Sequence, residues 1–144
     1  MTPDQLVRVH AAAFDWPRPW TENEFISLMN NKHVHLVACA KGFALSRVIA
    51  DEMELLTIAV LPNSRRTGLG GKLLGEAHAT ARGLGAQKAL LVVADSNNAA
   101  RLLYQRNGYR QCGARPAYYR RADGQSEDAL LFACELTANA ADLG

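Results

Sequence analysis

The stretch with the most chemistry in it runs from Leu55 to Leu74. Leu55-Leu56-Thr57-Ile58-Ala59-Val60-Leu61 is an apolar run rich in strand formers, and Pro62, which has no N–H for a ladder, ends it. The chain then turns basic and glycine-rich through Arg65-Arg66-Thr67-Gly68-Leu69-Gly70-Gly71. From Leu69 a helical spacing sets in, with Leu69, Leu73 and Ala77 on one side. Strand, glycine-rich loop and helix N-terminus, in that order, make an anion site. Glycines without a Cβ let backbone N–H groups approach a phosphate, and the helix dipole adds partial positive charge there. Arg65 and Arg66 bring full charges beside it.

Spacing separates the kinds of phosphate loop. A P-loop needs Ser or Thr after its Lys, but Lys72 is followed by Leu73, so magnesium has no hydroxyl ligand. The dinucleotide fingerprint needs a third Gly at position 73, which is again Leu. What remains is Arg65-x-x-Gly68-x-Gly70 directly after a strand. Just upstream, Asp51, Glu52 and Glu54 make an acidic sheet end that favours a cationic N-terminus or a basic peptide.

The elements that must hold these residues follow from capping and periodicity. Thr2-Pro3-Asp4-Gln5 is a capping box with Pro at the first helical position, predicting a helix to about Phe14. Asp15-Trp16-Pro17-Arg18-Pro19-Trp20 breaks it, and Thr21-Glu22-Asn23-Glu24 caps a second helix carrying Phe25, Leu28 and Met29. Trp16 and Trp20 pack this loop, or wall a substrate groove. Val34–Ala40, Phe43–Ile49 and Met53–Val60 read as strands joined by short hairpin turns. His33 and His35 are read as exposed sheet residues.

The helix from Leu69 runs to about Arg82, with Gly83-Leu84-Gly85 as its C-cap signal. Ala89–Ala94 is apolar on both faces, as a central strand paired in parallel with Met53–Val60 would be. Asp95-Ser96-Asn97-Asn98 caps another helix to about Arg106, closed by Asn107-Gly108. Tyr109–Arg115 and Ala129–Leu136 read as the last strands, with Tyr118, Tyr119 and Asp123-Gly124 in a polar loop between them. From Thr137 the tail is expected to fray.

At 144 residues and 49% hydrophobic composition the chain is expected to be one domain with a full core. A net charge of +2 gives no argument for nucleic acid. No stretch approaches a membrane span and the start does not read as a signal peptide, so a cytoplasmic protein is expected. Cys39, Cys112 and Cys134 lack metal spacing, and Cys39 and Cys134 read as reduced core residues. No metal is expected.

The order α-α-β-β-β-α-β-α-β-β, with the Arg65-x-x-Gly68-x-Gly70 loop, resembles the GNAT acetyltransferase superfamily over nearly the full chain. Asn97-Asn98-Ala99-Ala100-Arg101-Leu102-Leu103-Tyr104-Gln105-Arg106-Asn107-Gly108-Tyr109 is similar to that family's Asn-x-x-A-x-x-L-Y-x-x-x-G-F/Y segment. Pro19-Trp20-Thr21-Glu22 with Phe25, and Tyr118-Tyr119 with Asp123-Gly124 and Glu127-Asp128-Ala129, resemble the RimI branch, which acetylates the N-terminal amine of a small-subunit ribosomal protein. The implied fold is a single α/β (α+β) domain over 1–144 whose central sheet is mixed, mostly antiparallel and flanked by helices.

The resemblance also implies roles. Ile58, Ala59 and Val60 would line the thioester and pantetheine of acetyl-CoA, with the Ile58 N–H as oxyanion donor. Arg65, Arg66, Thr67, Gly68, Leu69, Gly70 and Gly71 would take the pyrophosphate, and Asn97 would bond the pantetheine arm. Tyr104 would protonate the leaving thiolate, unless it only packs its ring on the sheet. Trp20, Tyr118 and Tyr119 would touch substrate.

One position departs from that branch: its base Glu matches Val92 here. Other GNAT branches carry the base on the strand before the loop, where this chain has Glu54. Strict alternation would put Glu54 on the face of Ile58 and Val60, roughly 13 Å from Ile58. Otherwise Glu54 is an exposed strand-end residue. The implied activity is acetyl transfer from acetyl-CoA to an amine, foremost a protein N-terminal α-amine, by a monomer or weak dimer. A small-molecule amine acetyltransferase and a non-catalytic acetyl-CoA-binding module are the alternatives.

Overall fold

The computed structural model describes residues 1–13, 19–120 and 123–136. Trp16 and the expected fraying of the tail from Thr137 lie outside them. The elements are α1 (Pro3–Ala13), α2 (Glu22–Met29), β1 (Val34–Cys39), β2 (Gly42–Ile49), β3 (Glu52–Val60), α3 (Leu69–Gly83), β4 (Lys88–Ala94), α4 (Asn98–Arg106), β5 (Arg110–Arg120) and β6 (Ser126–Glu135). A short 3-10 turn over Pro62–Ser64 joins β3 to the glycine-rich loop.

The predicted caps form. Thr21 accepts from the Glu24 N–H at 3.2 Å while the Glu24 carboxylate accepts from the Thr21 N–H at 3.1 Å. Asn97 caps α4 by accepting from the Ala100 N–H.

The sheet runs β1-β2-β3-β4-β6-β5. Only β3 and β4 pair in parallel, as a β-α-β unit requires; the other neighbours are antiparallel. One face carries α3 and α4, and its core gathers Met53, Leu55, Ile58, Leu73, Leu74, Ala77, Leu91, Val93 and Tyr104. The opposite face carries α1 and α2 and buries Leu6, Phe25, Phe43, Leu45 and Ala59.

These two clusters expose a break in β3. Arg47 pairs with Glu54 and Ser46 with Leu55, but the next pair is Leu45 with Thr57, so Leu56 is an extra residue in β3. A bulge of this kind reverses which face the following residues take. Met53 and Leu55 therefore share the α3 face with Ile58, whereas Glu54 stands on the α1–α2 face. The alternation that would have put Glu54 with Ile58 and Val60 does not survive the bulge.

Other expectations are corrected as well. Tyr118 and Tyr119 lie on β5 rather than in a loop, because β5 resumes pairing after a second register shift between Arg115 and Tyr119. Ala117 absorbs that shift with a φ of 53°. Cys39 is exposed at the end of the edge strand β1, and Cys134 is only partly buried. Val92, read as part of a strand buried on both faces, is 40% exposed.

Candidate active site

Strands β3 and β4 are in register only at Glu52 with Lys88, Met53 with Ala89 and Glu54 with Leu90. Beyond Glu54 no pairing joins them, although β3 continues to Val60 and β4 to Ala94. The Leu61 N–H donates to the Lys41 carbonyl at 2.9 Å, toward β2. Polar groups of successive strand residues alternate between the two edges, so Ala59 also turns its N–H and C=O toward β2. Ile58 and Val60 turn theirs toward β4, into the part of the sheet where the ladder has ended. These are open backbone donors and acceptors beside an apolar wall. The side chain of Ala59 instead packs under α1 and α2.

The glycine-rich loop continues from that edge. Ser64 is buried, and the Thr67 hydroxyl donates to its carbonyl at 2.6 Å, folding the turn under α3. Gly68 caps α3 with φ 82°, a conformation that a side chain would strain. The Lys72 N–H closes the first helical bond onto the Gly68 carbonyl. The N–H groups of Leu69, Gly70 and Gly71 precede that bond, and α3 has no side-chain cap to satisfy them. An uncapped helix N-terminus of this kind can accept an anion.

Two of the loop residues do something else as well. The Arg65 guanidinium donates to the Ala13 carbonyl at 2.8 Å, so this charge closes the C-terminal end of α1. A Cβ on Gly70 would stand 3.3 Å from Leu103, so its bareness lets α3 lie close against α4. Arg66 is exposed, with a φ of 63°.

Tyr104 projects from α4 into the core under the sheet, 7% exposed, with the Tyr109 ring at 5.7 Å. Burial first, and the Tyr119 phenol second, raise its pKa above the ordinary phenol value. Tyr119 of β5 is thus near enough to act on Tyr104 electrostatically. Asn97 spends its side-chain oxygen on the α4 cap at 3.2 Å, so a bond to a ligand would come from its amide nitrogen.

On the opposite face, Glu54 is half-exposed and its carboxylate accepts from Arg47 Nη1 at 3.2 Å. Its register partner on β4 is Leu90, so the side chain of Val92, two residues on, shares the face of Glu54. Strand spacing and rise put the two Cα atoms roughly 8 Å apart. The bulge that separates Glu54 from Ile58 thus sets it beside the position where a carboxylate was missed.

Trp20 stacks on the buried His10 ring at 5.2 Å, and its N–H donates to His10 Nδ1 at 3.2 Å. Packing accounts for Trp20 here. Tyr118 is 54% exposed and meets Tyr119 edge-on at 5.0 Å, with the Arg115 guanidinium over its ring. The sequence reading passed over Lys41 and Arg47. Their importance depends on what faces them across the hairpin and the sheet, and no local pattern marks it.

Residues 4–109 match the model of the Acetyltransferase (GNAT) family. The chain belongs to the GNAT acetyltransferase family. A [ribosomal protein bS18]-alanine N-acetyltransferase from Haemophilus influenzae is 37% identical over 95 residues, which span 66% of this chain and 64% of that protein. Its counterpart from Escherichia coli strain K12 is 33% identical over 123 residues, covering 83% of this chain and 82% of the relative. The crystal structure of the ribosomal-protein-S18-alanine N-acetyltransferase from Escherichia coli superposes with a TM-score of 0.83 at 29% identity, covering 96% of this chain and 90% of that one.

The parting of β3 and β4 and the N-terminus of α3 thus both lie within the matched GNAT region. Among the described residues no cluster of His, Cys, Asp and Glu is arranged to hold a metal, and no helix is long and apolar enough to cross a membrane.

Proposed function

We propose that this acetyltransferase moves the acetyl group of acetyl-CoA to the N-terminal α-amine of a protein, and that its substrate is the N-terminal alanine of ribosomal protein bS18. The observation that carries the transfer chemistry is the end of the β3–β4 ladder at Glu54. It leaves the backbone of Ile58 and Val60 unpaired on the β4 side, with the uncapped α3 N-terminus beyond it in the chain and Tyr104 in the same core cluster as Ile58. The choice of amine rests on the relatives named for bS18-alanine acetylation and on their 33–37% identity.

In this reading the diphosphate of acetyl-CoA lies on the free N–H groups of Leu69, Gly70 and Gly71. The Ile58 N–H meets the thioester oxygen, and the pantetheine runs along Ile58 and Val60 with Asn97 beside it. The neutral amine attacks the thioester carbon, and the oxyanion forms on the Ile58 N–H. Collapse breaks the C–S bond, and the sulfur takes a proton from Tyr104. The proton released by the amine passes to Glu54 or to water.

Energetics fit an α-amine. With a pKa near ~7.8 it costs under ~1 kcal/mol to deprotonate near neutral pH, against roughly 4–5 kcal/mol for a lysine near ~10.4. A single exposed carboxylate suffices for the first. Burial makes Tyr104 a weaker acid than a free phenol, but the same dry surroundings raise the pKa of the departing thiol, so the transfer remains feasible.

The test is intact-mass measurement of ribosomal proteins from cells with and without the gene. The expected result is one acetyl group missing from bS18 in its absence. Unchanged masses, together with turnover on small amines but not on an N-terminal peptide, would reassign the substrate.

A further inference from the structure

A cleft of about 330 Å³ opens at the start of α3 between Lys41, Asn63, Ser64, Thr67, Gly68 and Lys72. Lys41 comes from neither the loop nor the helix. It is in the tight turn between β1 and β2, where Cys39 already pairs with Gly42. The turn is fixed: the Lys41 carbonyl accepts from the Leu61 N–H at 2.9 Å. It is also pressed down, since a Cβ on Gly42 would lie 2.7 Å from the Ala59 carbonyl and 3.1 Å from Leu73 of α3. Only a glycine lets the hairpin end come this close to the helix, and that approach puts Lys41 in the lining of the same cleft as Lys72.

The charges in this region are distributed differently from what the loop alone suggests. Arg65 is held on the Ala13 carbonyl. Neither Lys41 nor Lys72 has an ion-pair partner among the described residues. Two lysines without an ion-pair partner thus line one concavity, together with Gly68 and Leu69 at the start of α3. Ammonium groups on flexible stems serve phosphate as point charges, without the fixed geometry a guanidinium demands.

We propose that Lys41 is a cofactor-binding residue: its ammonium, from the β1–β2 turn, pairs with a phosphate of acetyl-CoA in the cleft that Lys72 also lines. The hairpin is then the second wall of the nucleotide site. The inference rests on the acetyl-CoA reading above, and acetyl-CoA offers both a diphosphate and a 3′-phosphate.

The experiment is calorimetric titration of the parent, Lys41→Gln and Lys41→Arg proteins with acetyl-CoA and with 3′-dephospho-acetyl-CoA. It is paired with kcat/KM for S-acetylpantetheine, a donor without phosphate. Lys41→Gln should weaken acetyl-CoA about 5- to 10-fold, with Lys41→Arg close to the parent. S-acetylpantetheine should be used equally well by parent and Lys41→Gln. Either behaviour of the dephospho donor supports the assignment: a loss that disappears puts Lys41 on the 3′-phosphate, and one that persists puts it on the diphosphate. Parent-like affinity of Lys41→Gln for acetyl-CoA would overturn it, as would an equal loss with S-acetylpantetheine. A parent protein that binds no acetyl-CoA would remove the cofactor reading itself, and this inference with it.

Discussion

Arg47 and Glu54 face each other across β2 and β3, Nη1 to Oε1 at 3.2 Å, one pair before the Ser46–Leu55 step that precedes the Leu56 bulge and at the last rung of the β3–β4 ladder. The pair therefore stands at the mouth of the cleft, on the face of Leu90 and Val92. In the proposed reaction Glu54 would take a proton from an amine entering on that side.

Glu54→Gln should lower kcat/KM on an N-terminal peptide at pH 6–7, and the defect should shrink toward pH ~9 as an amine of pKa ~7.8 deprotonates without help. Steady-state profiles of both proteins across that range decide it. A loss of constant size would make Glu54 a positioning residue.

Val92→Glu supplies the carboxylate of the RimI branch. Because Val92 is 40% exposed, the new group keeps its water and should cost under ~1 kcal/mol of stability. Activity below pH 7 should rise, most visibly in the Glu54→Gln background. A melting curve and the same peptide assay check both halves.

Tyr104→Phe keeps the ring in the core and removes only the hydroxyl. It should reduce kcat about 100-fold while leaving acetyl-CoA affinity within about twofold. Parent turnover in this variant would leave Tyr104 a packing residue.

Gly71→Asp is the cleaner probe of the phosphate site, because Gly70 is already needed for contact with Leu103, whereas a Cβ at Gly71 meets only Asn107 at 3.8 Å. A carboxylate in the first turn of α3 favours the helix dipole, so Tm should hold or rise. Acetyl-CoA affinity should nevertheless fall at least ~10-fold through repulsion of the phosphates. Calorimetry that finds no loss would remove the diphosphate from this helix end.

Two buried histidines govern stability in acid. Burial lowers His78 to about 4, with Arg82 adding, and Nε2 of its neutral ring shares a 2.8 Å hydrogen bond with the Tyr109 hydroxyl. Burial lowers His10 to about 4 as well, against the opposing pull of Glu24. Between pH 6.5 and 4 the unfolded chain binds these protons and the folded one does not, so stability is full above ~6.5 and falls as pH drops through that window. Each histidine contributes up to about 3 kcal/mol of the loss. His78→Gln can keep a bond to Tyr109 without titrating, and it should flatten the fall of Tm between pH 6.5 and 4.

What the sequence determined by itself is local in origin. Thr21 and Glu24 satisfy each other's backbone within one turn, and Asn97 finds the Ala100 N–H three residues on, so those helix starts were legible from residue types alone. The order from Leu55 through Gly71 to Ala94 likewise determined a strand, a helix and a parallel partner strand, because right-handed β-α-β connection leaves little choice. Tertiary structure decided what depends on partners distant in the chain. The Leu56 bulge exists only against β2, and it moved Glu54 to the other face. The Ala13 carbonyl at the end of α1 claimed Arg65, and the hairpin brought Lys41 to a cleft that Lys72 also lines. Tyr118 and Tyr119 joined a strand because β6 offered them a ladder beyond the shift at Ala117. In each case the decision rested on a hydrogen bond or a packing contact with a residue far along the chain, and periodicity carries no record of such a partner.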